Sequence, residues 1–267
     1  MQLPTLIFDI ETVTDLKAGA HLFNLDLSAD DTKAALDKLR RQETGHDFQR
    51  IALHEIVCIS GLWIDENGLK LFSFSRERYS EAEILAKFVS IFEKRQPILV
   101  SWNGAQFDLP VILFRAMYHG VSAPSLFDQG ELNTQKRYNN YQNRYHHRHI
   151  DVMDVMAMFN GRHFQKLNDI SCLLGFPGKQ QVDIQEQVRQ QDWASVACYC
   201  ETDVLNTWLI YLRWLLLKGQ VSAQVHEQWI YATINYLQQQ PQQAAFLNAW
   251  QLSSQHTSLT EHYFTSM

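Results

Sequence analysis

The sequence predicts an α/β or α+β domain, on three observations. Short apolar runs alternate with amphipathic stretches of period 3.6, a tight polar turn joins two of the runs, and the second half of the chain is mostly helical in pattern. The first run, residues 4–10, is rich in Leu, Ile and Phe, as a buried strand requires. Residues 55–64 ("EIVCISGLWI") and 69–75 ("LKLFSFS") follow as strands, and "DENG" between them reads as a hairpin turn. Residues 80–95 are amphipathic and open on Ser80, a suitable N-cap. A strand at 97–102 ("PILVSW") precedes a helix from about Asp108 to Tyr118. Residues 13–50 are too long for a loop, and "SADDTKAALDKLRRQ" (Ser28 to Gln42) is capped and charged like an exposed helix, so a helical insertion is expected there. Further helices are expected at "KLNDISCLLG", 190–218 and 221–237. Past Gln238 the chain turns polar, and the last dozen residues read as disordered. The division that results is a domain over 1–218 and a helical extension with a polar tail over 219–267.

Composition narrows the function classes. With 46% hydrophobic and 19% charged residues, the 267-residue chain can bury a sizeable core. "MQLPTLIFDIE" has no basic start and meets acids within nine residues, unlike a secretory signal. The longest apolar run, "WLIYLRWLLL" (Trp208 to Leu217), is too short to span a bilayer and contains Arg213, which favours a core helix. The four cysteines form no disulfide framework and no CxxC pair, so reduced thiols in a cytoplasmic protein are expected. A net charge of −6 argues against a wholesale nucleic-acid coat but leaves local basic patches open.

The chemistry-bearing residues are acids in apolar company. In "TLIFDIET" (Thr5 to Thr12), Asp9 and Glu11 point to one face of a strand, because side chains alternate. Alone, the pair is weak evidence, since solvated edge-strand charges look the same. In "VSWNGAQFDLPVI" (Val100 to Ile112), Asp108 follows a buried strand, where it could equally be an acid complementing a helix N-terminus. In "CYCETDVLNTW" (Cys198 to Trp208), Tyr199 and Asp203 stack one helical turn apart where the helix turns apolar. No basic residue adjoins any of the four acids in sequence, and buried charges are normally paired or bound to metal. An all-oxygen ligand set suits Mg2+ or Mn2+. Two such ions are the known device for in-line displacement at phosphate, one activating the attacking water and the other stabilising the leaving 3′ oxygen.

The three segments resemble, in order, the three motifs of the DEDD 3′–5′ exonucleases, which have a ribonuclease H-like fold. "FDIET" resembles the first motif, "NGAQFDLP" the second and "YCETD" the third, and the tyrosine is that of the tyrosine-bearing (DEDDy) branch. Asn-x-x-x-Phe-Asp followed by Leu-Pro is most similar to the proofreading domain of family-B DNA polymerases. The similarity covers roughly residues 3–218 and extends to stand-alone bacterial proteins described as predicted 3′–5′ exonucleases related to that domain. It implies a mixed sheet flanked by helices, with Asp9, Glu11, Asp108 and Asp203 as ligands of two Mg2+ or Mn2+ ions. Tyr199 would orient the nucleophilic water, and Thr12, Asn103 and Phe107 would contact the 3′-terminal nucleotide. The implied partner is single-stranded nucleic acid with a free 3′ end, DNA ahead of RNA. Two other readings stay open: an exoribonuclease, and a catalytically silent nucleic-acid-binding module.

Three further stretches carry chemistry-bearing residues. "QKRYNNYQNRYHHRH" (Gln135 to His149) holds four Lys/Arg, three Tyr and three His with no acid. It reads either as a mobile guide for single strands or as a solvated loop, and its histidines make a poorer metal site than the four carboxylates. Asp151 and Asp154 are candidates for supporting the site or for capping a helix. "GFPGK" (Gly175 to Lys179) lacks phosphate-loop spacing and reads as a helix-ending turn.

Overall fold

The first strand, β1, runs Thr5–Thr14 and lies in the middle of a five-stranded sheet. The computed structural model of the protein describes residues 4–179 and 182–254, so the expectation of a disordered tail lies outside the described residues. After β1 come α1 (Leu16–Phe23), capped by the Asp15 carboxylate, and α2 (Ala29–Thr44), capped by Ser28. Gly19 lets these two helices close on each other: a Cβ there would meet Leu36 Cδ1 at 2.5 Å. The hairpin β2 (His54–Asp65) and β3 (Gly68–Ser75) turns at Gly68, whose φ of +111° suits glycine. Helix α3 (Glu81–Arg95) begins on Ser80 with a complete capping box to Glu83. Then follow β4 (Ile98–Ser101), α4 (Asp108–His119), α5 (Pro124–Phe127), β5 (His149–Asp151) and α6 (Val152–Met156). The chain continues through α7 (Leu167–Leu173), α8 (Ile184–Arg189), α9 (Trp193–Leu217), α10 (Ala223–Gln238) and α11 (Ala244–Ser254).

The strand order is β3-β2-β1-β4-β5, with β1–β2 and β2–β3 antiparallel and β1–β4 and β4–β5 parallel. This is the mixed sheet flanked by helices of a ribonuclease H-like α/β fold. Strand parity sorts the core. Leu6, Phe8 and Ile10 pack against Leu85, Phe88 and Phe92 of α3 and Val111 and Ile112 of α4. Ile7, on the other face, joins Val204, Leu205 and Trp208 of α9 with Ile230, Ile234, Phe246 and Trp250 of α10 and α11. Each fully buried side chain of this size contributes roughly 1.5–3 kcal/mol, so α9, apolar nearly all round, is the element on which that face depends. The polar run past Gln238 is therefore brief, because Phe246 and Trp250 return the chain to the core. Among the described residues no helix is long and apolar enough to cross a membrane.

Two features fix the second half of the sheet around β1. Arg115 of α4, buried, donates to both oxygens of Glu81 at the start of α3 and to Asp15 Oδ2 at 2.7 Å, and Glu81 also accepts the Ile56 N–H of β2 at 2.7 Å. One guanidinium thus ties α4 to three other elements. The short β5 was not evident from the sequence. It pairs with β4 over only three residues, and its His149 Nε2 lies 2.7 Å from Ser101 Oγ.

Candidate active site

Three segments meet where β1 outruns β4. Pairing between them ends at Ile7–Val100, so β1 continues alone on that side, and a register shift between Glu11 and Thr12 bends it further. Asp9 and Glu11 share the face of Ile7, under α9, and both remain half-buried rather than exposed. The loop after β4 turns back at Asn103 (φ +66°) and Gly104, where a Cβ would meet Ser101 Oγ at 2.3 Å. Asp108, 3% exposed, then opens α4 and accepts the backbone N–H of Ile10, filling the place where β4 would have paired. Asp203, 1% exposed, comes from α9.

The electrostatics are those of crowded acids. Burial first, then the charges of Asp108, Asp203 and Glu11, push Asp9 well above the usual carboxylate range. Glu11 is raised likewise by burial and by Asp203. Burial raises Asp108 to about 7 against two backbone hydrogen bonds that favour its charge. Burial also raises Asp203, although Lys179 opposes it. Asp203 Oδ2 pairs with the Lys179 ammonium, while Oδ1 has no hydrogen-bond partner.

Lys179 is the residue that sequence reasoning missed. "GFPGK" does follow α7, but its task is larger than ending a helix. Buried Asn206 clamps Gly178 through both its amide groups, at 2.9 and 3.3 Å. Gly178 stands at φ +76° with no room for a Cβ. The next residue is thereby delivered to Asp203, with its ammonium 5.5 Å from the Tyr199 ring centroid. Although no basic residue adjoins the four acids in sequence, the fold brings this cation to Asp203. No local pattern signals a contact made from 24 residues away. Cys200 was likewise not counted: its Sγ lies within 4.8 Å of ligating atoms on Asp9 and Glu11 and donates to the Asp9 carbonyl at 3.4 Å. All four cysteines are free.

Tyr199 faces this cluster, half-buried, and burial followed by the Asp203 charge pushes its phenol above the usual range. Thr12 and Phe107 meet through His54: Thr12 Oγ1 lies 2.9 Å from His54 Nδ1, and the Phe107 ring meets the imidazole edge-on with centroids 5.0 Å apart. Phe48, 53% exposed, covers both rings at 4.9 and 5.6 Å, so the end of the 13–50 insertion forms one wall here. Asn103 lines, together with Lys179, a groove of about 480 Å3.

Asp151 stands at the end of β5. It caps α6 by accepting the Asp154 N–H, and it accepts the N–H groups of Asn103 at 2.9 Å and Ala105 at 3.0 Å, which holds the loop before Asp108. The basic segment is corrected in part. Lys136 is buried and donates to the Ser125 carbonyl, Arg144 pairs with Asp154, and Arg148 lies over the Tyr141 ring. All three cations thus make contacts within the fold, although the Arg144 side chain is still 41% exposed.

The sequence pattern of a family described as predicted 3′-5′ exonuclease related to the exonuclease domain of PolB matches residues 46–251. That span contains Asp108, Lys179, Tyr199 and Asp203 and leaves Asp9 and Glu11 before it. A DNA polymerase of Pyrococcus glycovorans is 27% identical over 99 residues, 34% of this chain and 12% of the polymerase. DNA polymerase 1 of Saccharolobus solfataricus is 36% identical over 69 residues, 26% of this chain and 8% of the polymerase. The chain therefore matches only about a tenth of the length of these relatives. The structure of the family B DNA polymerase from Pyrobaculum calidifontis superposes on 97% of this chain and 30% of its own, with a TM-score of 0.52 and 14% identity.

Proposed function

This chain belongs to the family of predicted 3′-5′ exonucleases related to the exonuclease domain of PolB, and on that premise we propose that it hydrolyses single-stranded nucleic acid from a free 3′ end. DNA is the favoured substrate, the products are nucleoside monophosphates, and the setting is the cytoplasm. The observation that carries the reading is the convergence of Asp9, Glu11, Asp108 and Asp203 from three segments, with their pKa values raised and Asp203 Oδ1 left unpartnered in the interior. A buried carboxylate oxygen without a donor is costly, and a hard divalent cation is the partner that suits it. The donor set fits two Mg2+ or Mn2+ ions held by these four residues. Bound there, the ions supply Lewis acidity toward water and the scissile phosphate.

The chain's own residues do the rest. Tyr199 keeps its proton at neutral pH, since its pKa is raised, so its hydroxyl positions the attacking water by a hydrogen bond rather than acting as base. Lys179 offsets one carboxylate charge and stands over the Tyr199 ring. The exposed Phe48 ring, backed by Phe107 and the buried His54 ring, offers an apolar face on which a 3′-terminal base can stack, beside Thr12. Asn103 is the remaining proposed contact. The test is cleavage of matched DNA and RNA oligonucleotides with free and blocked 3′ ends. Shortening of the free-ended DNA alone or fastest supports the reading, and equal cutting of blocked strands overturns it.

A further inference from the structure

A second basic and aromatic surface lies at the other end of the sheet. The carboxylates sit past the point where β1 and β4 stop pairing. An open cavity of about 920 Å3 lies beside Ile98 and His149, the first residues of β4 and β5, and the end of α9. From Asp203 to Lys218 along α9 is 15 residues, roughly 22 Å at 1.5 Å per residue. In a chain of net charge −6, none of the residues lining this cavity is acidic. Arg144, His146, His147 and Lys218 line it, although Arg144 already shares its charge with Asp154.

The aromatic side chains are presented at some cost. Tyr145 is 69% exposed and Phe159 39%, their rings packed edge-on at 5.3 Å with the Arg144 guanidinium 4.9 Å above Phe159. Phe159 and its neighbour Met158 both hold positive φ, 62° and 53°, a conformation unfavourable for side-chain-bearing residues. Across the cavity Trp214 carries the Lys218 ammonium 5.6 Å from its ring. The core does not need this arrangement, since Met158 is 82% exposed.

We propose that this cavity is a second contact for single-stranded nucleic acid, stacking bases and holding phosphates of the strand upstream of the 3′ end bound at the carboxylates. Cations with exposed aromatic rings and no acids are the combination that binds single strands without sequence preference. The inference rests on the exonuclease reading for the direction of the strand. At about 3.4 Å per stacked nucleotide, roughly six or more nucleotides separate the two sites. A strand of about four cannot touch both, and one of about twelve can.

The test compares 3′-blocked DNA oligonucleotides of those two lengths against wild type and the Tyr145→Ala/Lys218→Ala variant, by fluorescence anisotropy over a salt series. The longer strand is expected to lose roughly tenfold or more in affinity and about one unit of salt slope, the scale of one stack and one phosphate contact, while the shorter strand does not change. Thermal melting shows that the variant is folded, and Phe159→Ala alone should give the same length-selective loss. Equal affinities of both proteins for the longer strand overturn the proposal. So does binding of a polyglutamate peptide at this cavity without any oligonucleotide effect, which would indicate an acidic protein segment instead. Free-ended strands separate the two readings. Normal shortening with no length-selective loss removes the second contact alone. Length-selective binding without shortening of any strand keeps the second contact and removes the exonuclease reading.

Discussion

Replacing Lys179 by Met tests whether the ammonium and a divalent ion serve the same carboxylate. In the metal-free protein Lys179 pairs with Asp203 Oδ2, and Asp203 has 1% exposure and no partner for its other oxygen. Removing one member of a fully buried ion pair costs about 3–5 kcal/mol. The Lys179 side chain is 38% exposed, so water and protonation of Asp203 recover part of this, leaving about 2 kcal/mol. In a chain of this size that lowers Tm by about 4–8 °C. The loss should be larger at pH 8 than at pH 5, because burial raises the Asp203 pKa and a bound proton substitutes for the missing ammonium. Saturating Mg2+ should shrink it to below about 2 °C, because the ion then supplies the counter-charge. The assay is thermal melting of EDTA-stripped wild type and Lys179→Met, with and without Mg2+, at both pH values. A loss of the same size in all conditions would refute the shared-carboxylate reasoning.

Three other outcomes are expected. Tyr199→Phe should lose roughly 10- to 1000-fold in single-turnover rate while keeping the full Mn2+-induced rise in Tm, and a wild-type rate would make the tyrosine a packing residue. Arg115→Met should cost about 3–5 kcal/mol in denaturant unfolding, because it strands Glu81 and Asp15 without their cation, and an unchanged midpoint would contradict that network. Burial pushes His149 down to about 4, below its unfolded value, so its contribution to stability is present above about pH 6.5 and lost as pH falls through 4. That loss amounts to about 3 kcal/mol, and His149→Gln should flatten the acid limb of the stability profile by a comparable amount, whereas an identical limb would exclude the histidine as its source.

What was legible in the sequence had a local signature. Strand alternation puts Asp9 and Glu11 on one face, and the helical turn between Tyr199 and Asp203 needs no tertiary information. Ser80 announces the start of α3. What was not legible depends on contacts across the fold. His54 reaches Thr12 from 42 residues away, and Lys179 reaches Asp203 only because Asn206 holds Gly178. Strand β5 was hidden because three residues carry no period. The basic segment misled for a physical reason: composition counts charges but cannot show that Arg144 faces Asp154 or that Lys136 is buried under the loop it belongs to. Two of its other residues, Tyr145 and His147, share a cavity with Trp214 and Lys218 from the end of another helix, a juxtaposition that sequence cannot show.

The account stands on the claim that these four carboxylates remove nucleotides from a 3′ end only when divalent ions are supplied. The direct measurement is a time course on 5′-labelled single-stranded DNA with EDTA-stripped protein, before and after adding Mg2+ or Mn2+, for wild type and Asp108→Asn. The account predicts a ladder of progressively shorter labelled strands from the wild type after the ion is added, none before it, and none from Asp108→Asn. Laddering in EDTA, or by Asp108→Asn at the wild-type rate, would contradict it.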